Sequence, residues 1–266
     1  MICGMPTLIE LKNLEENMQL CRRLGLQFVE LNMNLPQYQL NNLENIDELK
    51  RIKERFGLSY TVHLDENLNI SDFNPLIASA YVKTVERVIA VAKKIDIPIL
   101  NMHMNHGIYV TLPDKKVKLF EKYKETYLDS MVRFRDLCEK AIGNADICIC
   151  IENTDGFLDY EKEAMELLLK SNVFALTWDI GHSNSCGNID ESFIRKHENR
   201  LKHFHIHDGN SQSNHLTLGV GEIDLQQRLT VARKNQCRCV IETKTVDSLE
   251  NSVKWLNEKR FLLTNF

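Results

Sequence analysis

The chain has 266 residues, 43% hydrophobic and 26% charged, with a formal net charge of −4 at pH 7. That length and composition suit a globular protein with a substantial core, as one large or two small domains. They give no sign of a broad nucleic-acid-binding surface, though a local basic patch is compatible with them.

The elements, in chain order, alternate. A strand at 2–5 leads to a helix over 9–24, 27–33 to 46–56, 59–64 to 76–94, and 99–104 to 117–142. The second half repeats the scheme, with 147–153 and 160–170, 174–180 and 191–200, 203–208 and 225–234, then 237–243 and 248–259. Strand–helix alternation implies βαβ units and a parallel sheet. Eight such units over about 250 residues is the count of a (β/α)8 TIM barrel, whose active site lies at the C-terminal ends of the strands. No linker or composition shift divides the chain, so residues 1–266 are read as one domain. No apolar run approaches the roughly 20 residues that cross a bilayer, and MICGMPTLIE lacks the features of a signal peptide. The eight cysteines include no C-x-x-C pair, and with no secretory signal a disulfide framework is not expected. The expected setting is the cytoplasm.

KHFHIHDGN places His203, His205 and His207 at alternate positions, so a strand points all three to one face. Other strand-like runs end in a metal-ligand type. Glu152 shares a face with Cys148 and Cys150, Asp179 with Ala175 and Thr177, His103 with Ile99 and Asn101, and Glu242 with Val240. The strand-end set is Glu30, His63, His103, Glu152, Asp179, His205 and Glu242, joined by His182 and His215 in the following loops. A lone strand histidine is most simply a hydrogen-bonded core or rim residue, and a lone carboxylate a helix cap. The ends of closed barrel strands converge on one axis, however, and carboxylates crowded there repel unless a cation compensates. Two glutamates, an aspartate and a histidine form a hard site suited to Mn2+, Mg2+ or Co2+, and to Zn2+ as more imidazoles join.

Gly219-Val220-Gly221 offers a weak phosphate-loop alternative, since it follows no strand. Ser183 and Ser185 lie in no nucleophile elbow, Cys186 reads as incidental, and His106 and His197 read as surface residues with no assigned role. The basic stretch at 115–118 reads as the solvated start of a helix. Trp178, alternating with Asp179, is expected to point outward into the helix layer.

GLQFVELN at 25–32, TVHLDENL at 61–68, NMHMNHG at 101–107, IENTDG at 151–156, WDIGHS at 178–183, HFHIHDGN at 203–210, HLTLGVGEID at 215–224 and VIETK at 240–244 occur in this order. Through them the chain resembles, over nearly its whole length, the xylose isomerase-like superfamily of barrels. That group holds sugar and sugar-phosphate isomerases and epimerases together with endonuclease IV-type AP endonucleases. Resemblance to its ketose 3-epimerase branch implies one divalent ion on Glu152, Asp179, His205 and Glu242, with Glu152 and Glu242 also exchanging substrate protons. It implies substrate contact for His182. His63, His103 and His215 match positions that hold further Zn2+ in the nucleases and that sugar-handling relatives also keep as histidine, and they are read here as substrate-binding. Glu30 is placed with them, as a substrate contact or a support for the ligands.

The expected activity is therefore a metal-dependent isomerase or epimerase acting on a small carbohydrate, phosphorylated or not. An α-hydroxy-ketone can chelate a cation through adjacent oxygens, which eases loss of the neighbouring proton to a carboxylate. The alternative is a zinc-dependent AP endonuclease acting on nucleic acid. Against it stand Ser213, where the nuclease pattern has an aspartate ligand, and the reading Asp179-Ile180-Gly181-His182 in place of a DTCH-like segment. A third reading is a barrel that binds ligand or metal without turnover. No membrane partner is expected, and the oligomeric state is left open.

Overall fold

The structure, a computed structural model, describes residues 1–262. Ten strands are named in chain order: β1 (Ile2–Pro6), β2 (Phe28–Asn32), β3 (Ser59–His63), β4 (Ile99–His103), β5 (Tyr109–Thr111), β6 (Lys116–Lys118), β7 (Cys148–Glu152), β8 (Phe174–Asp179), β9 (Leu201–Ile206) and β10 (Arg238–Ile241). Eight of them close in the order β1-β10-β9-β8-β7-β4-β3-β2, every pairing parallel, with helices following the strands. This is the (β/α)8 barrel read from the alternation.

Strand alternation sorts the side chains as expected. Cys150, Ala175 and Ile99 form a small cluster apart from the main core, whereas Ile149, Ile151, Leu176 and Trp178 join the large core. Trp178 is fully buried in that outer layer, with the Arg228 guanidinium 4.5 Å above its ring. Its indole N–H donates to Ser183 Oγ at 2.8 Å. Helix starts follow local chemistry. Asn13, Asn74, Asp179, Asp224 and Thr245 each accept a backbone N–H from the first turn of the helix they cap.

Several bounds shift: the helix read from residue 9 begins at Leu14, the strand read over 203–208 is β9, and short helices Leu40–Leu43 and Ile180–Ser185 are added. The largest departure follows β4. The expected helix over 117–142 begins later, as helices Leu119–Lys122 and Lys124–Ile142. The basic stretch before it is strand β6, antiparallel to β5. Pro113 and Asp114 make the connecting turn, where Leu112 N–H donates to the Lys115 carbonyl at 2.8 Å. The hairpin is inserted after β4, which is why β4 pairs with β7 in the barrel. Among the described residues no helix is long and apolar enough to cross a membrane.

Candidate metal centre

β7 ends in Glu152 and β8 in Asp179, His205 stands one residue from the end of β9, and Glu242 follows β10. Parallel register sets Glu152 beside Thr177 and Asp179 beside His205. Four side chains from four successive strands of the barrel thus meet at its C-terminal mouth, all buried. His205 Nδ1 lies 3.3 Å from Glu152 Oε1, 3.4 Å from Glu242 Oε2 and 3.8 Å from Asp179 Oδ2. Donors held at ~2.0–2.2 Å around one ion stand roughly 3–4 Å from each other, so this is the spacing of a coordination shell. Glu152 Oε1, His205 Nδ1 and Glu242 Oε2 have no hydrogen-bond partner among the described residues. Buried polar atoms are nearly always paired. Three orphans converging on one point, two of them carboxylate oxygens, fit a divalent cation.

The charges fit as well. Burial opposes ionisation of Glu152, but the His205 and His103 imidazoles outweigh it and hold the carboxyl well below the usual range. For Asp179 burial is overcome by His207 and His182. For Glu242 it is overcome by His205 and Lys244, which bring the carboxyl to about 2. The imidazoles move the other way. Burial would lower His182, yet Asp179 and Glu152 raise it to about 10. Burial likewise opposes the charging of His205, and Glu152, Glu242 and Glu30 together raise it well above its ordinary value. Protonated imidazoles thus supply the countercharge that a divalent cation would otherwise bring.

The other predicted residues surround this centre. His63 and His103 bring Nε2 to 3.5 and 3.3 Å from Glu152 Oε2, which also accepts from Asn101 Nδ2. His182 lies at the rim, its Nδ1 3.4 Å from both Glu152 Oε1 and Asp179 Oδ2. His215, in left-handed backbone with φ 57°, donates from Nδ1 to the Glu242 carbonyl at 3.0 Å.

Of the two roles read for Glu30, substrate contact or support for the ligands, its geometry matches the second. It is buried beneath the centre, Oε1 accepting from His205 Nε2 and Oε2 from His203 Nε2, both at 2.9 Å. Thr61 Oγ1 adds a third bond at 2.8 Å. A carboxylate only accepts, so it keeps a proton of His205 on Nε2 and leaves Nδ1 as the atom that would face an ion once its own proton is lost.

Several residues packed around the centre were given no role in the sequence reading. His207 has both nitrogens engaged: Nε2 lies 3.1 Å from Asp179 Oδ1, and Nδ1 accepts from the His215 backbone at 2.9 Å. Gly181 is what admits it, since a Cβ there would stand 1.8 Å from His207 Cε1. The DIGH reading thus belongs to the packing of His207. Asn153 clamps the end of β8 by bonding both the N–H and the carbonyl of Asp179. Lys244 Nζ pairs with Glu242 Oε1 at 2.9 Å, leaving Oε2 to face inward.

Two minor readings are corrected. The backbone amides of Gly209, Gly219 and Ile223 all donate to the carboxylate of buried Asp208, so the Gly219–Gly221 loop folds around an internal anion. His106 is no idle surface group: its Nδ1 meets the buried Glu161 carboxylate and its Nε2 lies 3.2 Å from Thr154 Oγ1. Ser213 is exposed in a turn closed by Asn210.

The family model described as xylose isomerase-like TIM barrel matches residues 18–259. The chain belongs to this family. It is 26% identical over 259 residues to the uncharacterized protein MJ1614 of Methanocaldococcus jannaschii, covering 93% of each. Two solved structures share the fold across nearly their whole lengths. A D-tagatose 3-epimerase-like protein gives a TM-score of 0.76 at 23% identity, covering 98% of this chain and 100% of that one. D-psicose 3-epimerase of Clostridium cellulolyticum H10, solved with D-tagatose, gives 0.74 at 16% identity, covering 99% of both.

Proposed function

We propose that this protein is a metal-dependent epimerase or isomerase of a small carbohydrate. The observation that carries the reading is the convergence of Glu152 Oε1, His205 Nδ1 and Glu242 Oε2, buried and otherwise unpartnered, with Asp179 Oδ2 close by. Those four residues would hold one divalent ion of the Mn2+, Mg2+, Co2+ or Zn2+ type. The sugar epimerases among its structural neighbours support the substrate class.

The cation would supply Lewis acidity, polarising a substrate carbonyl so that the neighbouring C–H becomes acidic. The protein supplies the proton chemistry. Glu152 and Glu242 stand on strands separated by β8 and β9, so they reach a reacting carbon from different sides. One carboxylate removes the proton and the other returns one to the opposite face, which inverts the centre. Lys244 holds Glu242 by one oxygen and keeps its orientation fixed. His182, part-exposed at the rim with Nδ1 turned to the Asn153 carbonyl, leaves Nε2 for a substrate hydroxyl.

Solvent exchange tests this. The metal-loaded protein, incubated with a panel of free and phosphorylated ketoses in D2O, is expected to place deuterium at a carbon next to the carbonyl. Replacing Glu152 with Gln should cut that exchange roughly 10²–10⁴-fold, the usual worth of a positioned acid–base group, while circular dichroism stays unchanged. A fully active E152Q protein would sink the assignment.

A further inference from the structure

Eight of the large apolar side chains left exposed gather at the loops following β3 and β4: Phe73, Leu76, Ile77, Ile108, Tyr109, Val110, Leu112 and Tyr123, each 40–79% exposed. Ring contacts join the two loops. Phe73 lies 5.5 Å from Phe120 and 5.7 Å from Tyr123, and Gly107 at the hairpin base packs on the Phe120 ring. With ~200 Å2 for a fully exposed side chain of this size, those fractions leave roughly 800 Å2 of surface. Strand alternation divides it between the two faces of the hairpin, Tyr109 on one and Val110 on the other, and a partner that wraps the hairpin would draw on about the 800 Å2 per partner of a standard stable interface.

The hairpin specifies what covers this face. Leu112 N–H donates to the Lys115 carbonyl and Leu119 N–H to the Ile108 carbonyl. Antiparallel bonding alternates, so Val110 bonds inward to Val117, whereas Tyr109 and Thr111 turn their N–H and C=O groups out along the free edge of β5. The opposite edge, on β6, carries Lys116 and Lys118. A second copy docking there would set lysine against lysine, and edge lysines are a common block to pairing. The β5 edge carries no charge, and it is self-complementary: antiparallel pairing about Val110 sets Tyr109 opposite Thr111 of the second copy, and the reverse. The hairpin is also firmly mounted. His106 at its base is held by Glu161 and Thr154, and Tyr160 Oη donates to the His106 carbonyl at 3.0 Å.

We propose that the chain forms a two-fold dimer by joining β5 edges into a four-stranded sheet, with Phe73, Ile108 and Tyr123 in the surrounding apolar contact. This interface needs neither a bound cation nor the activity proposed above.

Sedimentation equilibrium of the full chain at tens of micromolar tests it. The expected mass is twice the 30.9 kDa of one chain. V110K places two like charges at the two-fold axis, and Thr111→Pro removes an outward amide without touching the bonds to β6. Each should weaken association at least tenfold, while K118Q on the opposite edge should not; Lys116 is left in place because its ammonium lies 4.4 Å over the Tyr109 ring. Thermal melts within a degree or two of the parent would show that the barrel itself is intact in each variant. A monomeric parent chain, or a dimer that survives both V110K and Thr111→Pro, would overturn the proposal.

Discussion

Replacing Glu30 with Gln is the sharpest probe of how the centre is built, because it changes one buried atom and leaves volume unchanged. The native carboxylate accepts from His203 Nε2, His205 Nε2 and Thr61 Oγ1. Glutamine offers one acceptor oxygen and presents an NH2 group in place of the other. At least one imidazole must then face a donor with a donor, which it relieves by moving its proton to Nδ1. In His205 that shift consumes the lone pair at the centre. Loss of an outer partner of a metal-bound imidazole typically costs 10–100-fold in affinity, or about 1.4–2.8 kcal/mol. Competition titration with a chromogenic chelator measures it directly. T61V should do much less, since it removes one bond to Glu30 and leaves both imidazole bonds in place. The E30Q amide can still turn its one oxygen to His205, so E30L, which offers no acceptor at all, completes the test: an E30L protein that binds its cation as tightly as the parent would refute the claim that Glu30 orients His205.

Cation binding should release protons, because His205 is held charged by its carboxylate neighbours and must lose its Nδ1 proton to become a ligand. Affinity should therefore rise with pH, by about tenfold per unit for each proton released. Calorimetry in buffers of differing ionisation enthalpy counts those protons, and a count of zero would contradict the arrangement. Gly181→Ala drives a Cβ into the His207 ring; overpacking of this kind costs about 1–3 kcal/mol, readable as a lower denaturant midpoint. An unchanged midpoint would show that His207 moves away freely.

The barrel was legible because strand and helix periods alternate cleanly along the chain. Alternation within each strand also separated inner Cys150 from outer Ile149 and Ile151. The hairpin was missed because its strands are three residues each and its lysines continue the charge pattern of the following helix. The Pro-Asp turn at 113–114 was the available signal. Glu152, Asp179, His205 and Glu242 were legible as strand-end residues of ligand type. The roles of Glu30 and His207 were not, because they depend on partners far off in sequence. Glu30 meets His203 and His205 across more than 170 positions, a pairing fixed only when β2 and β9 line one barrel. Gly181 likewise reads as an unexplained glycine until the ring of His207 is seen to occupy the space of a side chain.

The most direct test of the central claim is elemental analysis of the purified chain after metal loading and desalting, with the H205A variant beside it. One divalent ion per chain, lost in H205A, is the predicted result. A parent chain that retains none, or an ion that H205A retains unchanged, would contradict it.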